Sequence, residues 1–227
     1  MFLDFDGTLA GLRDDPDAVH LAPGLDGADA PGRPALDGAL AVISGRDAGD
    51  LARRVPGGLW RIGNHGLILL GPGEVAPEAR AEAPWPVRQA MDRLAEEVSG
   101  TRVEVKGPIL ALHYRQVPEA GPHLAEALGR VGFARLGYKL QSGKLVFEAK
   151  PEGANKGKAL ARMMQDAPFA GRRAVMIGDD TTDEDAFTAA NALGGLTIKV
   201  GEGKTAAQYR LAGVEEVHMY LGELAGV

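Results

Sequence analysis

Phe2-Leu3-Asp4-Phe5-Asp6-Gly7-Thr8-Leu9 carries a short apolar run into two aspartates one residue apart, then into a glycine. It reads as a strand that ends at the aspartates and a turn that leads away. Alternate side chains of a strand share a face, so Asp4 and Asp6 are expected to project into the same space. Paired carboxylates at a strand exit suit a nucleophile, an acid/base group and a cation site. Aspartate before glycine is also ordinary turn chemistry, so the pair takes its meaning from the motifs further along the chain.

Ile43-Ser44-Gly45-Arg46 closes the apolar run 40–43. Asn155-Lys156-Gly157 opens a helical segment, and Gly178-Asp179-Asp180-Thr181-Thr182-Asp183-Glu184 comes after the apolar run 174–177. With a further run at 196–200, strand-like and helix-like segments alternate. That alternation predicts an α/β fold, a doubly wound and mostly parallel sheet covered by helices. In such sheets ligands bind outside the carboxyl ends of the strands. Each of these motifs falls at such an end or at the helix start beside it.

The middle of the chain reads differently. Residues 84–99 carry Val87, Met91, Leu94 and Val98 at helical spacing, with Pro86 suited to a first turn. Residues 101–106 and 109–114 alternate around Gly107-Pro108 and read as a hairpin. A second helix is expected over 119–131. A second hairpin is expected from 133–140 and 144–147, turned at Ser142-Gly143. This is an independent small α/β unit, placed at 69–148, with 1–68 and 149–227 forming the core. The stretch 22–38 is dense in proline, glycine and aspartate and reads as an irregular connection.

As an ordered set, these motifs resemble those of the haloacid dehalogenase (HAD) superfamily, mostly magnesium-dependent phosphatases. The resemblance to the trehalose-6-phosphate phosphatase family is closer still. It rests on 4–9, Gly63-Asn64-His65-Gly66, Val103-Glu104-Val105-Lys106, His113-Tyr114-Arg115 and 178–187, and covers nearly the whole chain. It implies a HAD-like core with an α/β cap inserted between the second and third motifs, where the middle unit lies. It also implies hydrolysis of trehalose 6-phosphate through an aspartyl-phosphate, with cap closure excluding bulk water.

The resemblance assigns Asp4 as nucleophile and Asp6 as general acid and then general base. Two carboxylates facing a dianionic phosphate would repel it. A hard divalent cation removes that problem, and Mg2+ prefers oxygen ligands. Asp4 and Asp179 are the expected ligands, with the Asp6 backbone carbonyl implied by the family and Asp180 and Asp183 completing the shell. Thr, Asp and Glu at 179–184 also suit a helix N-terminus. Ser44 can hold a phosphoryl oxygen through its hydroxyl, or cap the next helix. Lys156 places a cation where the helix dipole disfavours one, which suits a site that brings in negative charge. Lys150 and Lys158 lie nearby, and only the match at Lys156-Gly157 singles out one of the three.

For the substrate, strand alternation puts Glu104 and Lys106 on one face, and His113 and Arg115 on one face. With Glu148, read as ending the last cap strand, these form a polar floor for sugar hydroxyls or else cross-strand ion pairs on a half-solvated face. The four-residue match around His65 adds it to the substrate-binding set.

The 227 residues are 45% hydrophobic, enough for one large domain or a core with an insertion. A net charge of −6 argues against a generic nucleic-acid surface. The lack of cysteine excludes thiol catalysis, disulfides and thiolate metal sites. The chain starts directly in its first strand, leaving no room for a signal peptide, and no apolar run is long enough to span a bilayer. A cytoplasmic monomer is expected, taking a small sugar phosphate and neither nucleic acid nor membrane. The rival readings are the same chemistry on a sucrose or glycosylglycerate phosphate, a phosphomutase, and a silent sugar-phosphate-binding module. The silent module should have lost a nucleophile, acid or metal ligand, whereas Asp4, Asp6, Lys156 and Asp179 are all present.

Overall fold

The computed structural model describes residues 1–13, 15–21, 36–77 and 81–225. The connection read at 22–38 therefore lies outside the described residues up to position 35. Along the chain come β1 (Phe2–Leu3), β2 (Ala41–Ile43), α1 (Ala48–Arg54), β3 (Trp60–Gly63), β4 (Ile68–Leu70) and α2 (Trp85–Glu97). They are followed by β5 (Arg102–Lys106), β6 (Ile109–His113), α3 (Gly121–Gly129), β7 (Tyr138–Gly143), β8 (Val146–Pro151) and α4 (Lys156–Met163). The chain continues through β9 (Val175–Gly178), α5 (Glu184–Ala192), β10 (Leu196–Val200), β11 (Tyr209–Leu211) and α6 (Val214–Ala225). The described residues divide into two units, Met1–Ala76 with Asn155–Val227, and Pro77–Ala154.

In the first unit a seven-stranded sheet runs in the order β11-β10-β9-β1-β2-β3-β4. All neighbours are parallel except β3 and β4. Strand alternation supplies both faces with core residues. Leu3, Val42 and Ile177 join one apolar cluster, while Phe2, Ala41, Ile43 and Met176 join the other. A sheet buried on both faces explains why these strands read as unbroken apolar runs. Phe2 stacks on Phe169, ring centroids 5.0 Å apart, which ties the central strand to the segment before β9. The strand order reverses about β1: β2 and β3 lie on one side, β9 and β10 on the other. That is the switch point at which the carboxyl ends of a doubly wound sheet leave a crevice.

The second unit is an antiparallel sheet in the order β5-β6-β8-β7. Val87, Met91 and Leu94 of α2 and Leu124 and Leu128 of α3 pack with Leu110, Leu112, Phe147 and Ala149. Each of the larger side chains here, fully buried, contributes about 1.5–3 kcal/mol. The helices and the first hairpin thus form as the periodicity predicts.

Three details differ from the sequence expectation. Leu69 and Leu70, read as the start of the insertion, pair with Ile62 and Arg61 of the core sheet. Residues 133–136 form a tight turn rather than a strand, because Gly132 and Gly137 flank them in the left-handed region. The second hairpin turns at Lys144-Leu145, not Ser142-Gly143, since Ser142 and Gly143 pair with Phe147 and Val146. That later turn also moves Glu148 from a strand end to mid-strand, opposite Ala111 and Gln141. Among the described residues no helix is long and apolar enough to cross a membrane.

Candidate active site

Asp4 leaves β1 at the switch point and is 4% exposed. Lys156, the first residue of α4, donates from Nζ to Asp4 Oδ1 at 2.6 Å and to Asp183 Oδ1 at 2.7 Å. Asn155 caps that helix, its side chain accepting from the Lys158 N–H, which places Lys156 in the first turn. Asp183 Oδ2 accepts the backbone N–H groups of Asp179 and Asp180 at 3.1 and 3.0 Å. Both Asp183 oxygens are thus engaged, Oδ1 by Lys156 and Oδ2 by the loop after β9.

Carboxylate oxygens of Asp4, Asp179 and Asp183 lie within 4.8 Å of one another. This all-oxygen donor set fits a hard divalent cation such as Mg2+. Asp6 and Asp180 lie outside the cluster. Asp180 instead accepts from the N–H and hydroxyl of Thr181, a capping contact. The Asp6 carboxylate has a different partner. Arg46 grips it in a fork, Nε to Oδ2 at 2.7 Å and the second nitrogen to Oδ1 at 2.6 Å. Arg46 also reaches Asp50 at 2.8 Å and lies over the Phe5 ring. Burial works against the Arg46 cation, but hydrogen bonds to Asp6 and Asp50 outweigh it and raise its pKa.

Gly7 allows the turn between the aspartates and Thr8. Its φ is +79°, and a Cβ there would come within 2.2 Å of Asp179 Oδ2. Thr8 is fully buried and its hydroxyl donates to Asp179 Oδ1 at 3.3 Å. Ser44 is buried at the end of β2, its hydroxyl accepting from the Arg46 N–H at 3.1 Å. It does not cap α1. That role falls to Asp47, which accepts from Gly49 and Asp50. His65 is buried at φ +55°, its ring so close to Gly45 that a Cβ there would clash with it. The neighbouring Asn64 accepts from the Ala48 N–H at 2.9 Å, so this loop braces the start of α1.

The electrostatics follow from burial. Burial pushes the Asp4 carboxyl well above its ordinary value, Asp183 adds to the rise and Lys156 opposes it. Burial likewise pushes Asp179 up to about 6. Burial disfavours the Lys156 ammonium, yet Asp183 and Asp4 outweigh it and raise its pKa. A carboxyl whose folded pKa exceeds its unfolded one stabilises the fold below the unfolded value and loses that contribution as pH rises through the folded one. For Asp179 the window runs from 3.8 to about 6. Without metal, the stability of the wild type relative to Asp179→Asn is therefore expected to grow by about 2 kcal/mol from pH 7.5 to pH 4. Chemical denaturation of both proteins in chelator measures it, and a gap that stays flat or shrinks contradicts the burial argument.

In the second unit, the polar face of the sheet carries one connected network. His113 Nε2 lies 2.8 Å from Glu104 Oε2, Lys106 Nζ 3.8 Å from the same oxygen and 3.2 Å from Glu148 Oε1. The hydrogen bond from His113 holds the Glu104 carboxyl below its ordinary value.

Two contacts escaped the sequence reading. Arg46 stood in a quoted motif without a role, yet it binds both carboxylate oxygens of Asp6. Lys199 lay inside a run read simply as a strand, yet its Nζ donates to the Asp179 backbone carbonyl. The one signal for Lys199 was a charge inside an otherwise buried strand.

The trehalose-phosphatase family profile matches residues 2–215. Trehalose-6-phosphate phosphatase of Escherichia coli K12 is 38% identical over 226 residues, spanning 97% of this chain and 84% of that protein. A probable trehalose-phosphate phosphatase of Sinorhizobium fredii is 38% identical over 88% of this chain and 77% of its own length. Among solved structures, the C-terminal domain of C. albicans trehalose-6-phosphate phosphatase superposes with a TM-score of 0.81 at 25% identity. That match covers 100% of this chain and 91% of the other. The fold and these relatives together place the chain in the trehalose-phosphatase family, whose members are phosphoric monoester hydrolases.

Proposed function

We propose that this protein hydrolyses trehalose 6-phosphate to trehalose and phosphate through an aspartyl-phosphate on Asp4, with Mg2+ as cofactor. The observation that carries the mechanism is the meeting of Asp4, Lys156, Asp179 and Asp183 at the carboxyl ends of β1 and β9. Asp4 and Asp179 would hold the cation. Asp183, whose oxygens already accept three hydrogen bonds, positions Lys156 and the loop. When bound, the cation offsets the charge of the phosphoryl oxygens and of the carboxylates around them.

Asp4 attacks phosphorus as the bond to the sugar oxygen breaks. Asp6, released from the Arg46 fork and protonated, gives its proton to the departing oxygen and then takes a proton from the water that releases phosphate. Lys156 and the Ser44 hydroxyl stabilise the phosphoryl oxygens. Glu104, Lys106 and Glu148, with His65, recognise the sugar. Glu104 and Lys106 are mutually paired, so each presents a fixed rather than a wandering polar group.

The test is phosphate release from trehalose 6-phosphate, sucrose 6-phosphate, glucose 6-phosphate and a glucosylglycerate phosphate, with Mg2+ and with chelator. Mg2+-dependent preference for trehalose 6-phosphate is expected. Preference for another ester would discard the sugar assignment and leave the core chemistry. No release from any of them by folded protein would discard the phosphatase mechanism. Lys106→Ala is expected to lower kcat/KM for trehalose 6-phosphate by about 10–100-fold, losing a charge-assisted contact. Turnover of p-nitrophenyl phosphate, which has no sugar, is expected to stay within about twofold. Equal losses on both substrates would remove Lys106 from sugar recognition.

A further inference from the structure

We propose that Lys199 is a positioning residue for the cation site, setting the direction of the Asp179 carboxylate through its backbone. Lys199 sits on β10 with its Cα in register with Gly178 of β9. Its neighbours Ile198 and Val200 are buried, and Lys199 itself is 5% exposed. A lysine in such a place costs stability unless its ammonium finds a partner. The partner is the Asp179 carbonyl, reached from Nζ.

The peptide joining Asp179 to Asp180 is held at both ends. Its carbonyl accepts from Lys199, and its N–H, carried by Asp180, donates to Asp183 Oδ2 at 3.0 Å. The preceding N–H, that of Asp179, donates to the same oxygen at 3.1 Å. Both backbone dihedrals of Asp179 are therefore restrained between two anchors, which fixes where its side chain starts. Thr8 then holds Oδ1 from the other side at 3.3 Å. Outer groups that orient a metal ligand are commonly worth 10–100-fold in affinity.

The sign of the effect separates positioning from charge. Removing an ammonium held against the Asp179 backbone strengthens cation binding if charge is all that matters. Removing an anchor weakens it. This inference rests on the reading of Asp179 as a cation ligand, and the experiment tests that first. Mg2+ is titrated calorimetrically into the wild type and Asp179→Asn, with no substrate present. If the wild type takes up no Mg2+, or Asp179→Asn binds it equally well, the ligand reading fails.

With that established, Lys199→Met is expected to raise the Mg2+ Kd about tenfold. Its circular dichroism and melting in chelator report whether it folds. Lys199→Gln, polar but too short to reach the carbonyl, is the second variant and is expected to weaken binding to a similar degree. A Kd unchanged or tightened in whichever variant folds overturns the proposal.

Discussion

Asp4→Asn is expected to cut phosphate release by about 10⁴-fold or more while the protein stays folded. The amide is nearly the same shape and offers an oxygen to Lys156 Nζ, which retains Asp183 at 2.7 Å as a second acceptor. What is lost is the nucleophile and, with it, the route that divides one difficult displacement into two easier ones. The fold should tolerate the change well. Burial and the neighbouring Asp183 make a charged Asp4 unfavourable, with only Lys156 in compensation. A neutral side chain removes that repulsion, so the melting point in chelator is expected to hold or rise. Phosphate release and thermal unfolding measured on the same preparation check both parts. A folded variant with a near-wild-type rate would remove Asp4 from its role.

Lys156→Met is expected to damage both stability and rate. Its ammonium is buried between Asp4 and Asp183, at 2.6 and 2.7 Å, with the side chain 2% exposed. Breaking a buried ion pair from one side leaves uncompensated charge, at a cost of about 3–5 kcal/mol. Here two carboxylates would be left facing each other and Asp179. Wild-type Lys156 has its pKa raised above 10.5, so it stays charged and its contribution is constant across an assay from pH 5 to 8. Any pH dependence of the deficit therefore comes from the carboxylates. Burial already raises the pKa values of Asp4 and Asp179, and loss of the cation raises Asp4 further, so protonation relieves the mutant as pH falls. The deficit in chelator is expected to be largest at pH 8 and smaller at pH 5. Activity is expected to fall about 10²–10³-fold, the usual cost of losing one group that stabilises developing charge. Equal denaturation midpoints for mutant and wild type at pH 8 would contradict the buried-pair argument.

Much of the fold was legible because it rests on local signals. Apolar runs at the sheet centre, and Val87, Met91 and Leu94 at helical spacing, report burial on two faces and on one. The second hairpin was less legible. Ser142-Gly143 is turn chemistry by composition, but pairing with Phe147 and Val146 carries it into the strand, and Leu145 takes the left-handed position instead. A two-residue shift in a turn leaves local propensity almost unchanged. Register is decided by which face of the strand meets Val87, Leu124 and their neighbours. Residues 69–70 were misplaced for a related reason. An antiparallel return strand has no local mark that tells which sheet it joins.

By itself, the order of residues determined that carboxylates would stand at strand ends, that a lysine would open a helix, and that a small α/β unit would interrupt the core. Those are properties of periodicity and of short motifs, set by neighbours a few positions apart. Only the tertiary structure decided which charges meet. Lys156 reaches Asp4 across 152 positions, Arg46 reaches Asp6 across 40, and Lys199 reaches the Asp179 carbonyl across 20. Each of these contacts depends on strand order, since β1 lies between β9 and β2, and β10 beside β9. Strand order is chosen by the packing of two faces at once. No single segment carries it, and so the wiring of the site belongs to the assembled sheet.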